Sequence, residues 1–162
     1  MESLRLPAIK PIPMTKAVVF FTLMLVIISC SHYDDIMKNG KESTYSSKSH
    51  NAGQNCMNCH NGSEYSEAVR EGGWWHVAGT VVGGSGKDIE LWTEPNRKGE
   101  LVYKLQIEPS GNFYTSKIVD FKTGVYPVVV KKDGSFKEMS TSITMGACNS
   151  CHGATTDVIK SN

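Results

Sequence analysis

From Trp74 to about Thr144 the chain alternates apolar and polar residues with a period of two. Trp75, Val77, Gly79 and Val81 share one parity, as do Ile89 and Leu91, and Leu101, Tyr103, Leu105 and Ile107 alternate strictly. Successive side chains on a strand point to opposite faces, so this is the pattern of strands with one buried face. Phe113 to Val119 and Val125 to Lys131 add β-branched and aromatic runs, which suit a pleated, half-buried surface. The separators are turn chemistry: Gly83-Gly84-Ser85-Gly86, Glu94-Pro95-Asn96, Pro109-Ser110-Gly111-Asn112 and Asp133-Gly134. About five or six short strands with tight turns predict a mainly β fold, a small antiparallel β-sandwich over 74–144. Helix-period patterning is absent from that stretch.

The pattern before Trp74 is different. Arg5, Lys10 and Lys16 form a basic start, and Ala17 to Ser29 is an uncharged apolar run of 13 residues. A helix needs about 20 residues to cross a bilayer, so the run suits the apolar core of a signal peptide over 1–29. It ends Ile27-Ile28-Ser29-Cys30, which resembles a bacterial lipobox, with Cys30 as the lipid acceptor. The expectation is an exported protein, periplasmic or at the cell surface, lipid-anchored to a bacterial membrane, with Ser31 compatible with the outer one. Residues 30–50 are polar and read as a flexible tether. Ser63 to Arg70 has the N-cap and charge order of a short helix.

Charge changes little in this picture. The net charge is +1, and the chain after Ser29 holds 14 basic and 15 acidic residues, so nothing points to nucleic acid as a partner. The cysteines change it a great deal. Beyond Cys30 they form two matching pentads, Cys56-Met57-Asn58-Cys59-His60 and Cys148-Asn149-Ser150-Cys151-His152, with none left over. Two intervening residues space a pair of thiols for thioether bonds to the vinyl groups of haem, and the next histidine then lies beneath the iron. The pentads resemble those of exported multihaem c-type cytochromes, whose haem is attached outside the cytoplasm.

That resemblance implies two covalent haem c groups on Cys56, Cys59, Cys148 and Cys151, with His60 and His152 as proximal iron ligands. Candidates for the other face of the iron are His76, at the start of a strand, and His50, six residues before Cys56. Met139 and Met145, in an otherwise polar stretch, are further candidates. His32 reads as solvated. The haem-binding segments would be 51–73 and 145–162, on either side of the sandwich. Electron transfer follows as the expected function, with redox proteins as partners, the membrane reached through the lipid, and an oligomer or cytochrome complex possible in principle. No catalytic acid, base or nucleophile constellation stands out, so an electron carrier rather than an enzyme is expected. The alternatives are a haem enzyme with one open iron site, and a binding module whose CxxC pairs hold another metal or disulfides.

A second resemblance lies in the β region. His76-Val77-Ala78-Gly79-Thr80-Val81, Ile89-Glu90-Leu91-Trp92, Ser110-Gly111-Asn112-Phe113-Tyr114 and Gly124-Val125-Tyr126 are similar to the carboxypeptidase regulatory-like domain. That likeness covers roughly Val77 to Lys131 and implies a Greek-key β-sandwich serving as a scaffold, with no activity attached.

Overall fold

The strand VAGTVV, Val77–Val82, is buried at every position but its last. An alternating strand has one wet face; this one has none, because it is covered on both. The structure, a computed structural model, describes residues 40–61, 73–83 and 86–161. They fall within one compact unit, Ile36–Asn162. The signal segment 1–29, Cys30, His32, the first part of the tether and the helix expected over Ser63–Arg70 lie outside the described residues.

Eight strands are present among the described residues: β1 Val77–Val82, β2 Gly86–Glu94, β3 Lys98–Gln106, β4 Asn112–Thr115, β5 Tyr126–Lys131, β6 Phe136–Glu138, β7 Gly146–Ala147 and β8 Ile159–Lys160. They make two four-stranded sheets. In the first, β1 pairs antiparallel with β4 on one side and parallel with β7 and then β8 on the other. The second is antiparallel throughout, in the order β3-β2-β5-β6. The mainly β sandwich expected from the sequence is therefore present. Three short strands, β6 to β8, are additions to it, and two of them give the first sheet its parallel pairs.

Between the sheets lie Val77, Val81 and Phe113 from the first and Ile89, Leu91, Leu105, Ile107 and Val129 from the second. Val119, Phe121 and Val125, from the connection between β4 and β5, close one side. Fully burying such side chains is worth about 1.5–3 kcal/mol each, before the entropy of ordering them. The strict alternation of β3 does not carry through to its start. Leu91 pairs with Tyr103 but Trp92 pairs with Leu101, so Val102 is an extra residue and the register shifts there. A bulge reverses which face the following residues take, and Leu101 is left 40% exposed.

The turn from β2 to β3 has positive φ at both Asn96 and Arg97, the backbone of a hairpin whose twist matches its strands. Arg97 is an unusual residue for that conformation. Its guanidinium is held 2.8 Å from Glu90, and it lies over the rings of Trp92 and Phe136. Glu90 and Asp88 are buried carboxylates on the outer side of β2, and Lys104 Nζ lies 2.9 Å from Asp88. Asp88 holds the Lys104 ammonium above its ordinary range. Removing one partner from such a pair leaves the other charge unmatched.

Residues 41–53, most of which the sequence assigns to a flexible tether, are tied to the sandwich as a strap. Ser43 N–H donates to Tyr114 O at 2.9 Å, and its hydroxyl to Gln106 O at 2.6 Å. Tyr45 OH donates to Asp88 at 2.6 Å, and burial together with that bond pushes its phenol up to about 12. The buried Glu108 accepts from the Ser49 N–H and from the hydroxyls of Ser49 and Ser110. Gly53 N–H donates to Thr80 Oγ1 at 2.9 Å. Small polar residues look like linker in a sequence; here Ser43 and Ser49 are hydrogen-bonding groups used against the sandwich, while Thr44, Ser46 and Ser47 bond one another in a surface turn.

β7 approaches β1 more closely than a side chain would allow. A Cβ on Gly146 would sit 2.1 Å from His76 O and 2.6 Å from Val77 Cα, both backbone atoms that cannot swing aside. Gly146→Ala is expected to cost about 2–3 kcal/mol, read as a lowered urea midpoint with an unchanged slope. A variant as stable as the parent would show that the β1–β7 pairing is not as tight as described.

Candidate functional site

The two cysteine pentads meet on β1. Cys56–Asn58 and Cys148–Ser150 are each a single turn of 3-10 helix, and both turns pack against that strand. Asn149 Nδ2 donates across to Gly53 O at 3.4 Å, linking the second turn to the segment that leads into the first. Gly79 makes room on β1, since a methyl group there would lie 2.8 Å from Cys148 Cβ.

The pentads share one local geometry. In each, the amide of the second cysteine and that of the histidine turn back to the first cysteine's carbonyl: 3.2 and 2.9 Å at Cys56, 3.4 and 3.1 Å at Cys148. Each imidazole is pinned in the same way. His60 Nδ1 lies 2.8 Å from Gly73 O, and His152 Nδ1 lies 2.8 Å from Asp157 O. A carbonyl oxygen only accepts, so Nδ1 carries the hydrogen in both rings and the neutral imidazole keeps its lone pair on Nε2.

The surroundings of the two turns differ. Around the first is a run of rings: His50 against His60 at 6.1 Å, His60 against Trp75 at 4.8 Å, and Trp75 against Tyr114 at 4.5 Å. Trp75 N–H also donates to His60 O at 2.9 Å, so this tryptophan clips the first pentad to the sheet. The second turn borders a cavity of about 370 Å³ between the sheets. Its walls are apolar, with Val77 and Phe113 from the first sheet and Ile89, Leu91 and Val129 from the second. Met145, Cys148, Cys151 and His152 also line it.

The four described cysteines are free thiols. Burial pushes the Cys148 thiol up to about 12, and the neighbouring Cys56 adds to the shift. Burial also raises Cys56. A dithiol that exchanges disulfides needs a lowered thiol pKa at its attacking sulfur; here the first cysteine of each pair is shifted the other way.

His76 is committed elsewhere. Its Nδ1 accepts the Val119 N–H at 2.7 Å, which puts the ring hydrogen on Nε2, and burial holds its pKa below the usual range. It packs against Trp74 and Phe121 and fixes the chain after β4. His50 is exposed beside His60. Met139 and Met145 both border the cavity, and Met145 is 63% exposed.

These findings correct the expected cofactor chemistry. A c-type haem is normally cradled by helices, whereas the described chain is a two-sheet β structure whose helical content is two 3-10 turns. Among the described residues no three His, Cys, Asp or Glu side chains gather where they would hold a metal ion. The assignments of Cys56, Cys59, Cys148 and Cys151 to covalent haem c, of His60 and His152 to proximal iron, and of His50, His76, Met139 and Met145 to distal iron are therefore not carried forward. With them go the dihaem electron carrier and the haem enzyme. The metal- or disulfide-stabilised module falls on the same grouping and on the free thiols.

Compared with known proteins, the chain matches no family model, no curated protein and no solved structure. What stands of the likeness to a carboxypeptidase regulatory-like domain is the small β-sandwich itself. Sequence reasoning missed the cavity and the strap. The cavity's lining comes from residues far apart in the chain, and the strap's signal, Ser43, Tyr45 and Ser49 in a polar run, is the same as that of a linker.

The shifted thiol gives a direct test. At pH 8.5 fewer than about one in a thousand Cys148 side chains would be thiolate, so iodoacetamide should leave Cys148 unmodified in the folded protein and alkylate it in urea. Since unfolding restores an ordinary thiol near about 8.5, the stabilising contribution of this group is complete below that pH and is lost as pH climbs toward about 12. Rapid alkylation of folded protein at pH 8.5, followed by mass spectrometry of the Cys148 peptide, would contradict the buried environment.

Proposed function

We propose that this chain is an exported, lipid-tethered β-sandwich that binds a small, largely apolar molecule between its sheets and acts as a binding module rather than a catalyst. The observation that carries the reading is the cavity of about 370 Å³ lined from both sheets. Pockets for small organic ligands run from about 300 to 1,000 Å³ and are mainly apolar, with a few placed polar groups. Interiors are otherwise close-packed, and an apolar space of this size beside a packed core suits an apolar guest better than water. The guest would lie against Val129, Ile143 and Ile159, over a floor of buried Leu91 and Phe113, with Met145 and His152 where the space opens. Methionine is flexible and polarizable, which suits the rim of such a site.

The tethering part of the proposal rests on the N-terminal sequence. The basic start, the 13-residue apolar run and Cys30 support export with a lipid on Cys30, which would hold the module at a membrane surface, the outer membrane by preference. The acyl chains would then be the link to the membrane. A binding module needs no acid, base or nucleophile, and the raised thiols of Cys56 and Cys148 agree with a non-catalytic role.

The test is a titration of the protein with a neutral naphthyl fluorophore. Saturable enhancement at one site is expected, and Ile143→Trp, which fills the cavity from its partly buried wall, should abolish it while far-UV circular dichroism stays unchanged. Enhancement that does not saturate, or that survives the filled cavity, would overturn the reading.

A further inference from the structure

The cavity is apolar except at its mouth, and the polar groups there are mostly engaged. Ser150 Oγ donates to Ala147 O at 2.6 Å. Both oxygens of Glu138 accept the Asn96 N–H, at 2.7 and 2.8 Å. Asp157 O receives the His152 ring hydrogen at 2.8 Å, and Thr156 Oγ1 lies 3.3 Å from the same Nδ1. The His152 ring is thereby locked in one tautomer and one orientation, and no described residue bonds its Nε2. Lys137, Lys160 and the Asp157 carboxylate complete the rim, all on exposed residues where water competes for them.

Resting on the binding function proposed above, we infer that the ligand has an apolar body and a terminal hydroxyl of the phenol or alcohol class, which donates its hydrogen to His152 Nε2. The arrangement selects for a donor. A carbonyl or ether oxygen would meet a lone pair on Nε2, while an O–H would complete a hydrogen bond that the protein has already oriented. An oriented acceptor at the half-exposed mouth favours a hydroxyl over the analogue lacking the donor by the net worth of one hydrogen bond, which competition from water keeps modest.

The experiment displaces the bound naphthyl fluorophore from the full exported protein with three competitors of one size: 4-hexylphenol, its methyl ether 4-hexylanisole, and 4-hexylbenzoate. The phenol should compete at about tenfold lower concentration than the ether, the effect expected of one oriented hydrogen bond. His152→Phe should erase that difference, so that phenol and ether compete at the same concentration within the variant whatever its overall affinity, with His152→Ala as the second variant should the first not fold. Equal competition by phenol and ether in the parent protein overturns the hydroxyl assignment, as does a phenol preference that survives both His152 variants. A benzoate that competes best overturns it too, and assigns the head group to Lys137 and Lys160 instead. Displacement by none of the three, by contrast, removes the underlying small-molecule reading together with this one.

Discussion

The pairing of β1 on both sides is the constraint from which the rest follows. A strand inside a sheet must have both rows of backbone groups bonded, and β1 meets that demand with β4 on one side and the short β7 and β8 on the other. β7 and β8 pair with it only two residues at a time. The gap between them is where the second pentad turns, so Cys148 to His152 is placed by two bridges to β1 rather than by an element of its own. On the outward side, Ala78 and Thr80 are buried as deeply as the inward Val77 and Val81. Thr80 donates to Asn112 Oδ1 at 2.6 Å and accepts from Gly53, which seats the strap just ahead of the first pentad.

This arrangement explains why a long-range architecture can bring two distant motifs together without a helix. The pentads are about ninety residues apart in the chain, and the cost of closing so long a loop grows only slowly with its length. The sandwich between them provides the return path. Thermodynamic support for the meeting comes from ordinary sources: the apolar core between the sheets, Gly146 and Gly79 permitting close backbone approach, and the strap's hydrogen bonds to Glu108, Asn112 and Gln106.

Strands β1 to β5 were legible in the sequence because period-two burial leaves a local signature. Leu105 and Ile107 are inside as their parity implies. Leu101 is not, since the shift at Val102 is set by pairing to β2 and leaves no mark in β3 alone. The short β6, β7 and β8 carry too few residues to show a period. The matching backbone of the two pentads was also legible, as a repeated local pattern. What those turns serve was not, because five residues specify a turn and its ring orientation, while chemistry depends on what the rest of the chain brings opposite. His76 makes the same point: its place at the head of a strand suggested a ligand, and the amide of Val119, forty-three residues later, takes its Nδ1 instead.

The two pentads are therefore alike in backbone and unlike in setting. His60 lies against His50 and Trp75, with Trp75 in turn against Tyr114, whereas His152 lines the cavity between the sheets. The cavity has a structural cause. Along its edge the first sheet is completed by β7 and β8, four residues in all, and the second by the three residues of β6. Strands so short carry few inward side chains, and those available at the rim, Met139, Ile143 and Met145, leave a volume between the sheets unfilled. A sandwich thinly closed along this edge has a place there to admit a guest. The feature that makes the second pentad chemically distinct is thus the shortness of the strands on either side of it, and not its own five residues.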